Sequence, residues 1–223
     1  MKQSQMLDCI VLAAGQGLRM RNSVPKQFLR LAGKPLIIHV LETLEQLNEI
    51  GTVWVTYLAG YETTYLQLFE QYGLRKPKLV PGGATRQWSV YNALQCVSSD
   101  RVVIHEAVRP FFSADLLRSM LALDAPAVVP TVPVPFTVSM GDTWMTAELN
   151  RSMLHNIQLP QVFDTKVLRE AHERFYMPGD ATEDSLLVFR LGKPVRFVPG
   201  LEYNIKITTP LDLALAELIY REG

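Results

Sequence analysis

Short apolar runs recur along the chain at 9–13, 53–58, 78–80, 102–105, 127–134 and 195–198. Between most of them lie stretches with apolar residues every three or four positions, at 36–47, 61–72, 85–97, 114–123, 165–175 and 181–191. The first set has the length of strands and the second the period of amphipathic helices. Their alternation predicts an α/β fold in which a twisted, mostly parallel sheet is joined by helical crossovers. Ile10-Val11-Leu12 is apolar on both faces, which calls for helices on each side of that sheet.

The segment 132–159 breaks the alternation. Pro133 and Pro135 punctuate it, Pro130 and Pro160 flank it, and Met140-Gly141-Asp142 reads as a turn between short β-like pieces. It predicts a hairpin arm projecting from the sheet. A two-stranded ribbon is marginal alone, so exchange of arms in a symmetric dimer would supply the missing packing. An arm folded back on its own domain is the alternative.

Composition narrows this further. With 223 residues, 48% of them hydrophobic, the chain can bury one sizeable core, so residues 1–223 are expected to form a single domain. Lys+Arg 22 and Asp+Glu 22 cancel, so no global field draws the chain to nucleic acid or an anionic membrane, and any anion must be captured locally. Cys9 and Cys96 are the only cysteines and read as reduced core thiols. No apolar run precedes the first strand and none reaches the length of a membrane span, which gives the expectation of a cytoplasmic protein.

The chemistry begins where the first strand runs into Ala13-Ala14-Gly15-Gln16-Gly17-Leu18-Arg19-Met20, with Pro25-Lys26-Gln27 just beyond. Two glycines let backbone amides close on an anion, and Arg19 and Lys26 bring positive charge to the same turn, as a polyphosphate site requires. A Walker A loop is excluded because Gly17 is followed by Leu18 and Arg19 rather than Lys-Ser/Thr. A dinucleotide fingerprint is excluded because Met20 stands where its third glycine should be.

Ile104-His105-Glu106-Ala107-Val108-Arg109-Pro110 ends the fourth strand, where ligands of open α/β sheets bind, so Glu106 and Arg109 are expected to face the cleft. A carboxylate beside a triphosphate implies a bridging Mg²⁺. His105 reads as a satisfied core residue. Pro81-Gly82-Gly83-Ala84-Thr85-Arg86-Gln87-Trp88-Ser89 is a second glycine turn feeding a helix, whose amides and Ser89 hydroxyl could read a base or ribose with Arg86 near phosphate. Helix capping by Thr85 is the equal alternative. Asn204-Ile205-Lys206-Ile207-Thr208-Thr209-Pro210 sets a lysine in an apolar segment, where it needs an anionic partner, ahead of a last helix capped by Thr208 or Thr209. The carboxylates of Asp180, Glu183 and Asp184 at a helix start are explained by dipole complementation.

Together, Leu12-Ala13-Ala14-Gly15-x-Gly17-x-Arg19-Met20 with Pro25-Lys26-Gln27, His105-Glu106-x-x-Arg109-Pro110 and Asn204-Ile205-Lys206-Ile207-Thr208 resemble the IspD and TarI group of CTP-dependent cytidylyltransferases. The resemblance spans the chain, in order, and implies a Rossmann-like nucleotidyltransferase domain that transfers CMP from CTP to a polyol phosphate. It implies methylerythritol phosphate of isoprenoid synthesis as acceptor, with ribitol phosphate or another polyol phosphate as alternative.

On that pattern Arg19, Lys26 and Lys206 are catalytic, neutralising the triphosphate and the α-phosphorus. Ala14, Gly15, Gly17, Gly82, Arg86 and Ser89 bind the nucleotide, and Glu106 orients Mg²⁺. Arg109, Thr137 and Arg151 bind the acceptor, the last two carried on an arm that reaches the neighbouring subunit of a homodimer. The chain departs from the pattern at Glu106 and Glu183, where Asp is usual, and at Trp88, Phe136 and Leu159, where polar residues are usual. Glu106, Phe136 and Leu159 make a catalytically impaired nucleotide binder the rival reading.

Overall fold

The computed structural model describes residues 6–15 and 24–222. The chain starts with β1 (Leu7–Leu12), a hairpin of β2 (Arg30–Leu31) and β3 (Lys34–Pro35), α1 (Leu36–Gln46), β4 (Ile50–Tyr57), α2 (Glu62–Gln71), β5 (Pro77–Pro81) and α3 (Arg86–Leu94). It continues through β6 (Arg101–Glu106), α4 (Ala114–Leu121), β7 (Ala127–Pro133), β8 (Ser139–Gly141), β9 (Met145–Glu148), β10 (His155–Ile157) and β11 (Gln161–Asp164). The last elements are α5 (Thr165–Arg174), α6 (Asp184–Arg190), β12 (Val195–Pro199) and α7 (Pro210–Glu222).

The central sheet runs β5-β4-β1-β6-β11-β7-β12. Every pairing along it is parallel except those of β11, which lies antiparallel between β6 and β7. At Ala127 and Val128, β7 has β12 on one edge and β11 on the other, and at Thr131 it has β12 and β10. β10 and β11 therefore share one edge of β7 as a nearly continuous antiparallel partner.

Side-chain alternation assigns the two faces. Cys9, Val11 and Ala13 point into a core made with α1, α2 and α4, through residues such as Leu41, Tyr65 and Met120. Ile10 points into a second core with α3, α5 and α6, through Val90, Leu168 and Leu187. Both layers are fully buried along the middle of β1, so the doubly apolar run Ile10-Val11-Leu12 is explained by helices on either side. A third cluster, with Leu31, Leu36, Val108, Ile207 and Ala216, seats α7 beside the end of β6.

Two sequence expectations change. Residues 132–133 and 155–157 belong to the central sheet, so the part of the 132–159 arm that leaves it is 134–154. There β8 and β9 form their own two-stranded sheet, and Phe136, Trp144 and Met145 are 77%, 81% and 73% exposed. Only Cys9 is a core thiol: α3 ends at Leu94, so Cys96 falls beyond it and is exposed. Among the described residues no helix is long and apolar enough to cross a membrane.

Candidate active site

The carboxyl ends of β1, β4 and β6 open into a cavity of about 440 Å³. Its floor is the turn after β1. Ala13 donates its N–H to Thr56 Oγ1 (3.1 Å), and its carbonyl accepts from Gln27 Nε2 (2.7 Å) and the Tyr65 hydroxyl (2.8 Å). With Ala13 tied in this way, Ala14 and Gly15 line the cavity. Lys26, on a short 3₁₀ turn, lies along the same strip: a methyl group on Gly15 would sit 3.8 Å from Lys26 Cε. Gly17 and Arg19 lie outside the described residues.

The second glycine turn forms the opposite wall. Gly82 donates to the Tyr57 carbonyl (2.9 Å), and a Cβ there would meet Ala14 Cβ at 2.3 Å, so only glycine lets the two turns approach. Thr85 caps α3 by accepting from Trp88 N (3.2 Å). Ser89 Oγ accepts from Gly83 N (3.0 Å) and donates to the Thr85 carbonyl (2.9 Å), which stiffens this wall. Thr85, Arg86 and Ser89 line the cavity. Capping and cavity lining thus coexist at one helix start.

Glu106 and Lys206 close the remaining side. Lys206 Nζ donates to Glu106 Oε1 at 2.8 Å, which supplies the anionic partner that a lysine in an apolar segment needs. Arg109 Nε lies 3.5 Å from Glu106 Oε2, and Arg86 Nε lies 3.8 Å from Oε1. Burial pushes the Glu106 carboxyl up, but Lys206, Arg86 and Arg109 outweigh it and hold its pKa down at about 2.

The carboxylate is therefore ionised throughout the physiological range, and its buried Oε2 has no hydrogen-bond partner among the described residues. An ionised carboxylate with open lone pairs suits Mg²⁺, which binds through one or two carboxylates together with substrate phosphate oxygens. Among the described residues no group of three or more His, Cys, Asp or Glu side chains forms a cage, so water and substrate oxygens would complete the coordination.

The other expected residues fall in different places. Arg109 is buried behind Glu106 and donates to the Asn204 carbonyl (2.9 Å), pinning the segment that carries Lys206. Thr137 and Arg151 are on the arm, where Arg151 donates to the Pro135 carbonyl (3.0 Å), and neither lines the cavity. His105 is fully buried against Phe112 with Nε2 on the Arg109 carbonyl (2.9 Å), and burial holds its pKa down at about 4, as a core histidine.

Leu159 is in the core, so its lost polarity does not face the cavity. Trp88 packs on Tyr176 and donates to its carbonyl (3.1 Å), clamping the 175–181 loop.

One group was not legible in the sequence. Asp184 does more than complement a helix dipole: it is fully buried, accepting from Arg86 Nη2 (2.8 Å) and His172 Nε2 (3.0 Å). Burial raises its carboxyl, but the Arg86 guanidinium and the hydrogen bond from His172 outweigh that, so it stays well below the usual carboxylate range. Glu183, 3.7 Å from Arg86, accepts from Gln161 (2.9 Å) and is shifted upward by burial. The apolar spacing around 181–191 signalled a helix and gave no hint of these partners.

Comparison with known proteins agrees with this geometry. A family model described as IspD, 2-C-methyl-D-erythritol 4-phosphate cytidylyltransferase, matches residues 7–222. The protein of that name from Geobacillus thermodenitrificans is 38% identical over 218 residues, covering 95% of this chain and 96% of its own length. That from Pelotomaculum thermopropionicum is 39% identical over 222 residues, covering 95% and 93%. The crystal structure of 4-diphosphocytidyl-2C-methyl-D-erythritol synthase from Anaerococcus prevotii superposes with a TM-score of 0.85 at 27% identity, covering 98% of this chain and 97% of that one. The cytidylyltransferase structure from Thermus thermophilus does so with a TM-score of 0.79 at 33% identity, covering 97% and 100%.

Proposed function

The chain belongs to the 2-C-methyl-D-erythritol 4-phosphate cytidylyltransferase family, and on that basis we propose that it transfers CMP from CTP to 2-C-methyl-D-erythritol 4-phosphate. The observation that carries the reading is the cavity itself, where Ala14 and Gly15 of the first glycine turn, Lys26 and Lys206 surround one space at the carboxyl ends of parallel strands.

In this reading the acceptor's phosphate oxygen forms a bond to the α-phosphorus of CTP, the bond to the bridging oxygen breaks, and pyrophosphate leaves with that electron pair. No side chain has to act as nucleophile. The protein's work is orientation and charge neutralisation, which supply most of the acceleration in such transfers.

Ala14, Gly15, Gly83 and Ser89 line the walls that receive the nucleotide, while Gly82, expected from the sequence to touch it, stands outside the lining and lets the two turns approach; Lys26 and Lys206 bring positive charge to the phosphates. Gly17 and Arg19, outside the described residues, are assigned by the family resemblance alone. Mg²⁺ belongs to this proposal: Glu106 would hold it jointly with triphosphate oxygens, and the bound ion would neutralise charge developing there.

The acceptor half is assigned to Thr137 and Arg151 of an arm exchanged in a homodimer. Support comes from the large apolar side chains that the arm exposes and from the position of both residues away from the cavity of their own chain. Arg109 acts behind Glu106 in this scheme, through the Asn204 carbonyl. A cytoplasmic location is part of the same reading.

The test is to incubate the protein with CTP, Mg²⁺ and a panel of phosphorylated polyols, scoring CDP-linked products by mass. Product with 2-C-methyl-D-erythritol 4-phosphate is expected. Product only with ribitol phosphate would overturn the acceptor, and no product with any would overturn the activity.

A further inference from the structure

Arg86 lines the nucleotide cavity, yet its guanidinium is turned toward carboxylates. Nη2 is bound to Asp184; among the described residues Nε and Nη1 are buried with no hydrogen-bond partner, Nε lying 3.8 Å from Glu106 Oε1. Asp184 in turn is held by His172. A carboxylate only accepts, so His172 Nε2 carries the proton in that bond. His172 is on α5, Asp184 opens α6, Arg86 opens α3 and Glu106 ends β6, so the series joins three helices to the strand end in the active site.

We propose that His172 and Asp184 are positioning residues which hold the Arg86 guanidinium beside Glu106, and so hold the Glu106 carboxylate where it meets a nucleoside triphosphate and its divalent cation. The physical case is one of rotamer freedom. Arginine has several rotatable bonds and would lose its orientation without a fixed partner. Among the described residues the hydrogen-bonded partner of this guanidinium is Asp184, whose second oxygen is fixed by the His172 ring. Glu106 accepts a hydrogen bond from Lys206, whereas the 3.5 and 3.8 Å approaches of Arg109 and Arg86 are ion pairs too long for one. Its placement therefore depends on Lys206 at Oε1 and, for the rest of the carboxylate, on how firmly those guanidinium groups are held. The inference rests on the assignment of Glu106 to the cation site.

The test measures CTP binding by calorimetry, with and without Mg²⁺, alongside steady-state kinetics. Removing a partner that orients a ligand residue commonly weakens function about 10- to 100-fold. Asp184→Asn is expected to weaken CTP binding about tenfold in Mg²⁺ and to leave metal-free CTP binding unchanged. A purely structural role would lower the binding stoichiometry and the melting temperature at an unchanged constant, and that result would overturn the proposal.

His172→Leu should act in the same direction, whereas His172→Gln, which keeps an N–H donor, should stay within about twofold of wild type. This pair carries the test if Asp184→Asn fails to fold; equal behaviour of the two would overturn the proposal. In a Glu106→Gln background the effect of His172→Leu should disappear, because the residues act through Glu106. Full additivity would sink the inference and leave Glu106 in place. A Glu106→Gln protein with unchanged Mg²⁺-dependent binding would instead remove the assignment on which it rests.

Discussion

Lys206 Nζ and Glu106 Oε1 meet at 2.8 Å across 100 residues of chain, joining the C-terminal segment to the end of β6 at the mouth of the cavity. The contact is held from both sides. Arg109, three residues beyond Glu106, grips the Asn204 carbonyl; Asn204 Nδ2 donates to the Leu159 carbonyl (2.6 Å), and Ile207 N donates to that of Val108 (2.9 Å). Lys206→Ala should lower kcat about 10²- to 10³-fold, the usual loss for one preorganised charge donor. Pyrophosphate release measures it, and near-normal turnover would remove Lys206 from the catalytic group.

Lys26 makes an independent case because it approaches from the glycine turn rather than from the C-terminal segment. Lys26→Ala should also slow turnover about 10²- to 10³-fold. Initial rates on a preparation that thermal denaturation shows to be folded measure it, and an enzyme of ordinary activity would contradict the polyphosphate site.

Gly82→Ala tests the close approach of the two turns. The added methyl would overlap Ala14 Cβ at 2.3 Å, so one turn must retreat. The expected result is a KM for CTP raised about tenfold or more with kcat less affected, the pattern of lost binding shared by ground and transition states. An unchanged KM would mean that the turns do not have to touch.

Asp212 links the last helix to the active-site segment. Its carboxylate accepts from the Thr208 and Thr209 N–H groups (2.8 Å each), and Thr209 Oγ1 accepts from Asp212 N (3.2 Å). Partial burial raises its pKa, but the bonds from Thr208 and Thr209 lower it further, to a net value below the ordinary 3.8. A depressed carboxyl contributes stability above the unfolded value and loses it as pH falls below that value. Asp212→Asn, which keeps an acceptor oxygen but loses the charge in the first turn of the helix, should therefore cost about 0.3 to 1 kcal/mol at neutral pH. The gap to wild type should narrow as pH drops below about 4. Urea unfolding at pH 7 and pH 3 checks this, and a gap independent of pH would refute the charged cap.

The arm offers a test of assembly. Phe136 and Trp144 are 77% and 81% exposed, apolar surface that a partner would be expected to cover. Replacing both with Ser should leave the fold intact and shift the sedimentation profile from dimer to monomer. Loss of turnover in the same variant is expected if Thr137 and Arg151 act across subunits. A wild-type protein that sediments as a monomer would end the dimer proposal.

The layers of this protein and the outline of its site were already written in the order of its residues. Period-2 and period-3.6 patterns are local properties, so β1, β4, β6, β7 and the six helices α1 to α6 could be read within a few residues of their bounds. The glycine turn, Glu106 and Lys206 stood out because an amide-rich turn, a carboxylate at a strand end and a lysine in an apolar segment each carry a cost that demands a partner. The antiparallel β11 was not visible: Gln161-Val162-Phe163-Asp164 is too short to show a period, and its place depends on β6 and β7. Nor was the series His172, Asp184, Arg86 and Glu106, whose members lie far apart in the chain and meet only because the sheet order brings α3, α5 and α6 to the end of β6. Burial then set their chemistry, since a carboxylate enclosed away from water stays charged only beside cations that the fold, and not the neighbouring sequence, supplies.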